Sequence, residues 1–247
     1  MKHLFLVLLL ILCAPVLLTQ LYDVSAQSGD DVTLLVFSKT EGFRHASIPT
    51  GVEAVREIAA EMNYKIDHTE DSSVFTEENL SGYDAVIFLS TTGDILNESQ
   101  QEAFEQFIAE GGGFVGIHAA SDTEYDWPWY NKLVGAYFDS HPKVQEATIE
   151  VLDRSHPSTD HLPEKWIVTD EWYNFNSIQS HLNVLANLDE SSYEGGKNGQ
   201  NHPIAWYHEI FGGKAFYTGR GHTDESFGEP AFRQHIAGGI QYVLGKE

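Results

Sequence analysis

Cysteine is almost missing from this 247-residue chain, which carries only Cys13. A single thiol excludes an internal disulfide and a multi-thiolate metal centre. Basic residues are scarce too: 14 Lys and Arg face 37 Asp and Glu, for a formal net charge of −23. Such a surface repels phosphate, which argues against nucleic acid and anionic membranes as partners. Acidity of this kind is otherwise the ordinary property of a well-solvated surface. No GxSxG, HExxH, HxH or EF-hand loop occurs. The glycines at 111–113 precede an apolar run and lack a following GK[ST], so they are no phosphate loop.

Long hydrophobic runs are also lacking. Leu4–Leu18 falls short of the ~20 residues a spanning helix needs. It follows a basic start, Met1-Lys2-His3, and precedes the small residues of Val24-Ser25-Ala26. That order predicts an export signal over 1–26, cut after Ala26. Acylation at Cys13 is a rival reading, disfavoured by Leu12 before it, and an uncleaved anchor is a third. With the cut, the mature chain 27–247 has no cysteine nucleophile and no membrane span. It is periplasmic or secreted, and reads as one domain.

What is present is alternation. Val32–Phe37, Asp84–Ser90 and Phe114–His118 are apolar runs of the kind that form strands buried on both faces. Helices are predicted over about Thr50–Asn63 and Glu98–Glu110, the second with Asn97 and Gln100 spaced as a capping box. A short strand covers Tyr64–Asp67. The order predicts an α/β fold with a mostly parallel sheet flanked by helices. Further on, Thr148–Leu152 and Val184–Leu188 read as strands, Ile204–His208 and Lys214–Thr218 as a hairpin, and Glu229–Leu244 as a closing helix.

In open parallel sheets, ligands bind beyond the carboxyl ends of the strands. His118 lies at such an end, among small residues and before Asp122. Arg44 and His45 follow the first strand, and Arg220 and His222 follow the last. Asp170-Glu171-Trp172-Tyr173 and Asn201-His202 lie in neighbouring loops. Aromatics cluster in EYDWPWY, around Trp127, and in DEWYNF, around Tyr173; their faces suit sugar rings but equally suit a core. Most of the 12 histidines need no special role. His68, His156, His161, His181 and His235 are read as surface or structural. Scattered imidazoles can still assemble a zinc or other divalent-metal site, with His118, His141 and His222 as candidate ligands.

The stretches TTGDILNESQQEAFEQFIAEGGGFVGIHAASDTEYDWPWYNKLVGAYFDSHP, FSKTEGFRHASIPTG, TDEWYNF, NHPIAWYHE and YTGRGHTDESF resemble the ThuA-like (trehalose-utilisation) family, from about residue 32 to 245. The resemblance implies the class I glutamine-amidotransferase-like fold, a flavodoxin-like three-layer sandwich. It also implies that His118 stands at the turn where amidotransferases carry their cysteine. Their His-x-Glu pair has no counterpart, since Thr223-Asp224-Glu225 follows His222. Amide hydrolysis through a thioester is therefore not expected.

The family association points to disaccharides and related glycosides, especially 3-keto sugars made by a partner dehydrogenase. A C3 ketone acidifies the C2 proton, so a base can start elimination or isomerisation. Histidine suits that base without tuning. The expected catalytic set is His118 or His222 as base and Glu171 as acid. Arg44, Arg220 or a metal would stabilise the enolate. Arg44, His45, Asp122, Trp127, Tyr173, His202 and Arg220 are the expected substrate contacts. A non-catalytic carbohydrate-binding module on the same fold is the alternative.

Overall fold

The three apolar runs do become buried strands. The computed structural model describes residues 32–246, and the expected leader lies outside them. Strand β1 (Thr33–Phe37) is followed by helix α1 (Ile48–Glu61), with Pro49 in its first turn, where a missing N–H costs nothing. Strand β2 (Lys65–Thr69) is mostly exposed. The one-turn helix α2 (Glu77–Leu80) leads to β3 (Ala85–Leu89), buried throughout. Helix α3 (Glu98–Ala109) has the capping box expected of Asn97 and Gln100. Strand β4 (Gly113–Ile117) follows, also buried throughout.

Next come α4 (Pro128–Val134), β5 (Tyr137–Ser140), β6 (Gln145–Val151), β7 (Lys165–Asp170), β8 (Asn174–Asn176) and β9 (Asn183–Asp189). The chain closes with β10 (Pro203–Ile210), β11 (Gly213–Thr218), α5 (Asp224–Gly228) and α6 (Pro230–Val243).

The nine-stranded sheet runs β2-β1-β3-β4-β11-β10-β9-β6-β7. From β2 to β11 every pairing is parallel, and from β11 to β7 every pairing is antiparallel. Strands β5 and β8 form a separate antiparallel pair. Helices cover both faces. Phe88 and Phe114 pack against Phe104 of α3 and Tyr130 of α4. On the other face Phe216 packs against His235 of α6. Among the described residues no helix is long and apolar enough to cross a membrane.

Strand β7 was not expected. It is the sheet's outer strand, and its side chains alternate: Trp166 and Asp170 are buried while Ile167 is 59% exposed. An edge strand with a lysine at one end and an aspartate at the other has no continuous apolar run to announce it. The two short strands β5 and β8 and the seven-residue helix α4 were likewise unassigned.

Candidate active site at the strand ends

Strand β4 runs apolar to Ile117 and then turns sharply at His118, whose backbone is left-handed at φ 52°. A side chain in that region costs about 1–3 kcal/mol unless its surroundings hold it. Here they do. The Tyr217 hydroxyl donates to the His118 carbonyl at 2.7 Å, and the buried ring donates Nδ1–H to the Gly219 carbonyl at 2.9 Å. A carbonyl can only accept, so Nδ1 carries the proton and the Nε2 lone pair is left for the site.

Nε2 lies 3.3 Å from Nδ1 of His222, in the loop after β11, and 3.6 Å from Oε2 of Glu171, just past β7. His222 Nδ1 is itself 3.1 Å from that carboxylate oxygen. His45 packs edge-on against both rings, with centroids 4.8 Å from His118 and 5.2 Å from His222.

The electrostatics divide these groups. Burial alone would raise the pKa of Glu171, but the adjacent His118 and His222 imidazoles, His222 at hydrogen-bonding distance, outweigh it and hold the carboxyl at about 2. The same bond to Glu171 raises the pKa of His222. Burial, then the neighbouring His118 and His222, push His45 down to about 3, so its ring is neutral. An ionised Glu171 cannot be the acid expected of it near neutral pH; it accepts hydrogen bonds and stabilises positive charge.

One ligand atom from each of His45, His118, Glu171 and His222 falls within 4.8 Å of the others. Three imidazoles and a carboxylate form a donor set suited to zinc and other divalent first-row ions. The fit is chemical as well as spatial. His45 is neutral, Glu171 is ionised, and the Gly219 carbonyl orients His118 as an outer-shell partner would. His45 Nδ1 is also buried without a hydrogen-bond partner. His141, expected as a ligand, is not one of the four. Its Nδ1 sits 2.9 Å from Glu171 Oε1 and 2.8 Å from the Pro142 carbonyl, and its side chain is 44% exposed. That leaves its Nε2 free.

A cavity of about 280 Å3 opens onto this cluster. Of the expected substrate contacts, His45, Asp122 and Tyr173 line it, joined by Phe43 and Phe138, which sequence reasoning passed over. Four others point elsewhere. Arg44 forms a bidentate pair with Glu70 at 2.7 and 3.0 Å on the exterior. Trp127 stacks on Trp129 and Tyr130 and donates to Glu105. His202 is buried behind the site, between Glu190 and the Tyr173 carbonyl, so it positions Tyr173. Arg220, 2% exposed, lies over Trp166 and Phe232 and pairs with Asp170 and Glu229. Neither arginine meets the cavity, so neither guanidinium is placed to hold an enolate there.

Asp170 also escaped notice as a functional residue. Fully buried, it accepts from Ser226 Oγ at 2.8 Å, from the Gly221 and His222 N–H groups at 3.1 and 3.2 Å, and from Arg220 Nε at 3.3 Å. It therefore fixes the loop that carries His222. Its place beside Glu171 was the available signal.

A flavodoxin-like α/β sheet with imidazoles and a carboxylate gathered beyond its parallel strand ends is the class of protein these features define. The chain belongs to the ThuA family, described as trehalose utilisation, whose model matches residues 33–243. A ThuA-like protein from Bacteroides uniformis superposes with a TM-score of 0.76 at 24% identity, covering 92% of this chain and 96% of that one. Another from Parabacteroides merdae gives 0.68 at 17% identity, covering 87% and 91%. Comparison with curated proteins gives no match.

Proposed function

We propose that the protein is an exported enzyme of carbohydrate catabolism that acts on glycosides oxidised at C3, moving the C2 proton with pocket imidazoles. The observation that carries this reading is the convergence of His45, His118, Glu171 and His222 within 4.8 Å, three of them lining the cavity and His118 buried directly behind. A module that only held sugar would need the Phe43, Phe138 and Tyr173 surfaces but no such proton-transfer set. Without metal, His118 is the base: Nε2 faces the cluster, and Glu171 stabilises the imidazolium that forms. His222, its proton held toward Glu171, is the alternative base.

A divalent ion held by the four groups would supply a Lewis acid for the C3 carbonyl oxygen. Those four side chains would then be committed, and the proton would fall to His141, whose Nδ1–H is oriented by Glu171. Both routes keep Glu171 ionised. The cavity of about 280 Å3 is small, so the oxidised ring fills it and the rest of the glycoside lies over the rim.

The test is NMR of the mature protein with 3-keto-trehalose, 3-keto-glucosides and their unoxidised parents in deuterated buffer, after chelation and after adding zinc. C2 deuteration or bond cleavage with the keto sugars alone is expected. A zinc requirement for it would choose the metal route. Line-broadening without exchange in either condition would refute the enzyme and leave the sugar-binding module.

A further inference from the structure

The Glu171 carboxylate is taken up by imidazoles, with His141 Nδ1 at 2.9 Å and His222 Nδ1 at 3.1 Å. A second carboxyl group lines the same cavity in a different setting. Asp122 lines the cavity four residues beyond His118, at the end of the turn that follows β4. Its backbone is clamped: its N–H donates to the Ala119 carbonyl at 2.8 Å, and its carbonyl accepts from Gly93 N–H at 2.9 Å. Among the described residues it pairs with no lysine, arginine or histidine. Its side-chain partner is the Tyr125 hydroxyl, 2.6 Å from Oδ1.

That hydroxyl also lies 3.1 Å from the Phe138 carbonyl. Two acceptors around one phenolic proton permit both protonation states of the acid. With Asp122 ionised, Tyr125 donates to it. With Asp122 protonated, the carboxyl donates to the phenol oxygen and Tyr125 turns its proton to Phe138. The phenol stays bonded either way. Tyr125 is 45% exposed, so the pair also reaches solvent.

Resting on the reading of the pocket as a 3-keto-glycoside enzyme, we propose that Asp122 is the proton donor to the leaving glycosidic oxygen and that Tyr125 is its positioning and reprotonation partner. The base removes the C2 proton, giving an enolate. The enolate collapses: C3=O re-forms, C1=C2 forms, and the C1–O bond breaks. The leaving oxygen takes the Asp122 proton and departs as an alcohol. The proton held by the base passes to solvent, and solvent returns one to Asp122 through Tyr125. No oxidant or reductant is consumed.

Burial raises the pKa of Asp122 from its ordinary value, more than the Tyr125 bond and the nearby His118 and His141 lower it. That is the direction a proton donor needs.

The experiment compares wild type, Asp122→Asn and Tyr125→Phe on a 3-keto-disaccharide and on 4-nitrophenyl 3-keto-glucoside, whose nitrophenolate leaves without help. Asp122→Asn is expected to slow disaccharide cleavage by about 10²–10⁴-fold, the range for losing a general acid. Nitrophenolate release should fall less than ~10-fold, and C2 deuterium exchange should persist, because the base is untouched. Tyr125→Phe should move the alkaline limb of the disaccharide pH profile while leaving nitrophenolate release near wild type. Equal losses on both aglycones would overturn the donor role and make Asp122 a binding or folding residue. Loss of exchange together with cleavage in Asp122→Asn would instead make Asp122 part of the base. A wild type inert toward both substrates would refute the enzyme reading itself, and the donor with it.

Discussion

Replacing Asp170 by Asn tests how the His222 loop is held. The change keeps shape and removes one charge, so no cavity complicates the result. The carboxylate serves Ser226, Arg220 and two loop N–H groups, as well as the Glu171 N–H at 3.0 Å. An amide must present an NH2 to partners that are themselves donors. Removing one member of a buried ion pair costs about 3–5 kcal/mol. Arg220 keeps Glu229 at 2.8 Å as a second, part-exposed carboxylate, which places this case near the lower end, at about 3 kcal/mol. For a domain of this size, that lowers Tm by roughly 6–12 °C. Calorimetry of Asp170→Asn, Arg220→Met and the double variant would measure it, the double costing less than the sum of the singles. A drop under ~2 °C with additive effects would refute the claim that Asp170 and Arg220 act as one buried unit.

Two further outcomes follow from the packing. Burial holds the α6 residue His235 at about 3, below its unfolded value near 6.5. A neutral buried histidine contributes stability that is full above the unfolded pKa and is lost as pH falls toward the folded one. Between pH 7 and 5 this one group removes roughly 2 kcal/mol, so urea midpoints of His235→Gln should show that much less pH dependence than wild type. Gly238→Ala in the same helix would ordinarily gain about 1 kcal/mol of helix propensity. Its added methyl meets the backbone of Pro157 and Ser158, which cannot swing aside, so a net loss of about 1–3 kcal/mol is expected by chemical denaturation.

How much of this could be read in advance depended on the range of each interaction. The capping box of α3 is settled within four residues, so Asn97 and Gln100 announced it. The strands β1, β3 and β4 are buried nearly throughout, and their apolar runs show it. Strand β7 buries alternate residues at an edge, and Asp170 acquires its meaning only from a loop that returns about fifty residues later. Arginine carried the least information. Arg44 and Arg220 both lie in loops after strands, yet one pairs with Glu70 outside and the other lies over Trp166 within. Histidine at a strand end located the pocket. It did not separate His45, which converges with the cluster, from His141, which stays at the rim.

His118 shows why the strand ends where it does. The run FVGI is apolar because β4 lies between β3 and β11 and under helices. Gly116 is small because a Cβ there would press on Tyr217 and Ala120. Tyr217 must keep its place, since its hydroxyl holds the left-handed carbonyl of His118 and also meets Ser121 at 2.9 Å. The chain thus turns from a dry core to the pocket in one residue. The ring is anchored by Nδ1–H, and its other nitrogen is turned toward Glu171. Two carboxylates then meet the pocket under opposite influences. Imidazoles keep Glu171 ionised, while Asp122, which among the described residues bonds to no cation, is biased by burial toward its acid form. The proposed elimination would use both, an ionised Glu171 beside the base and Asp122 as the proton donor.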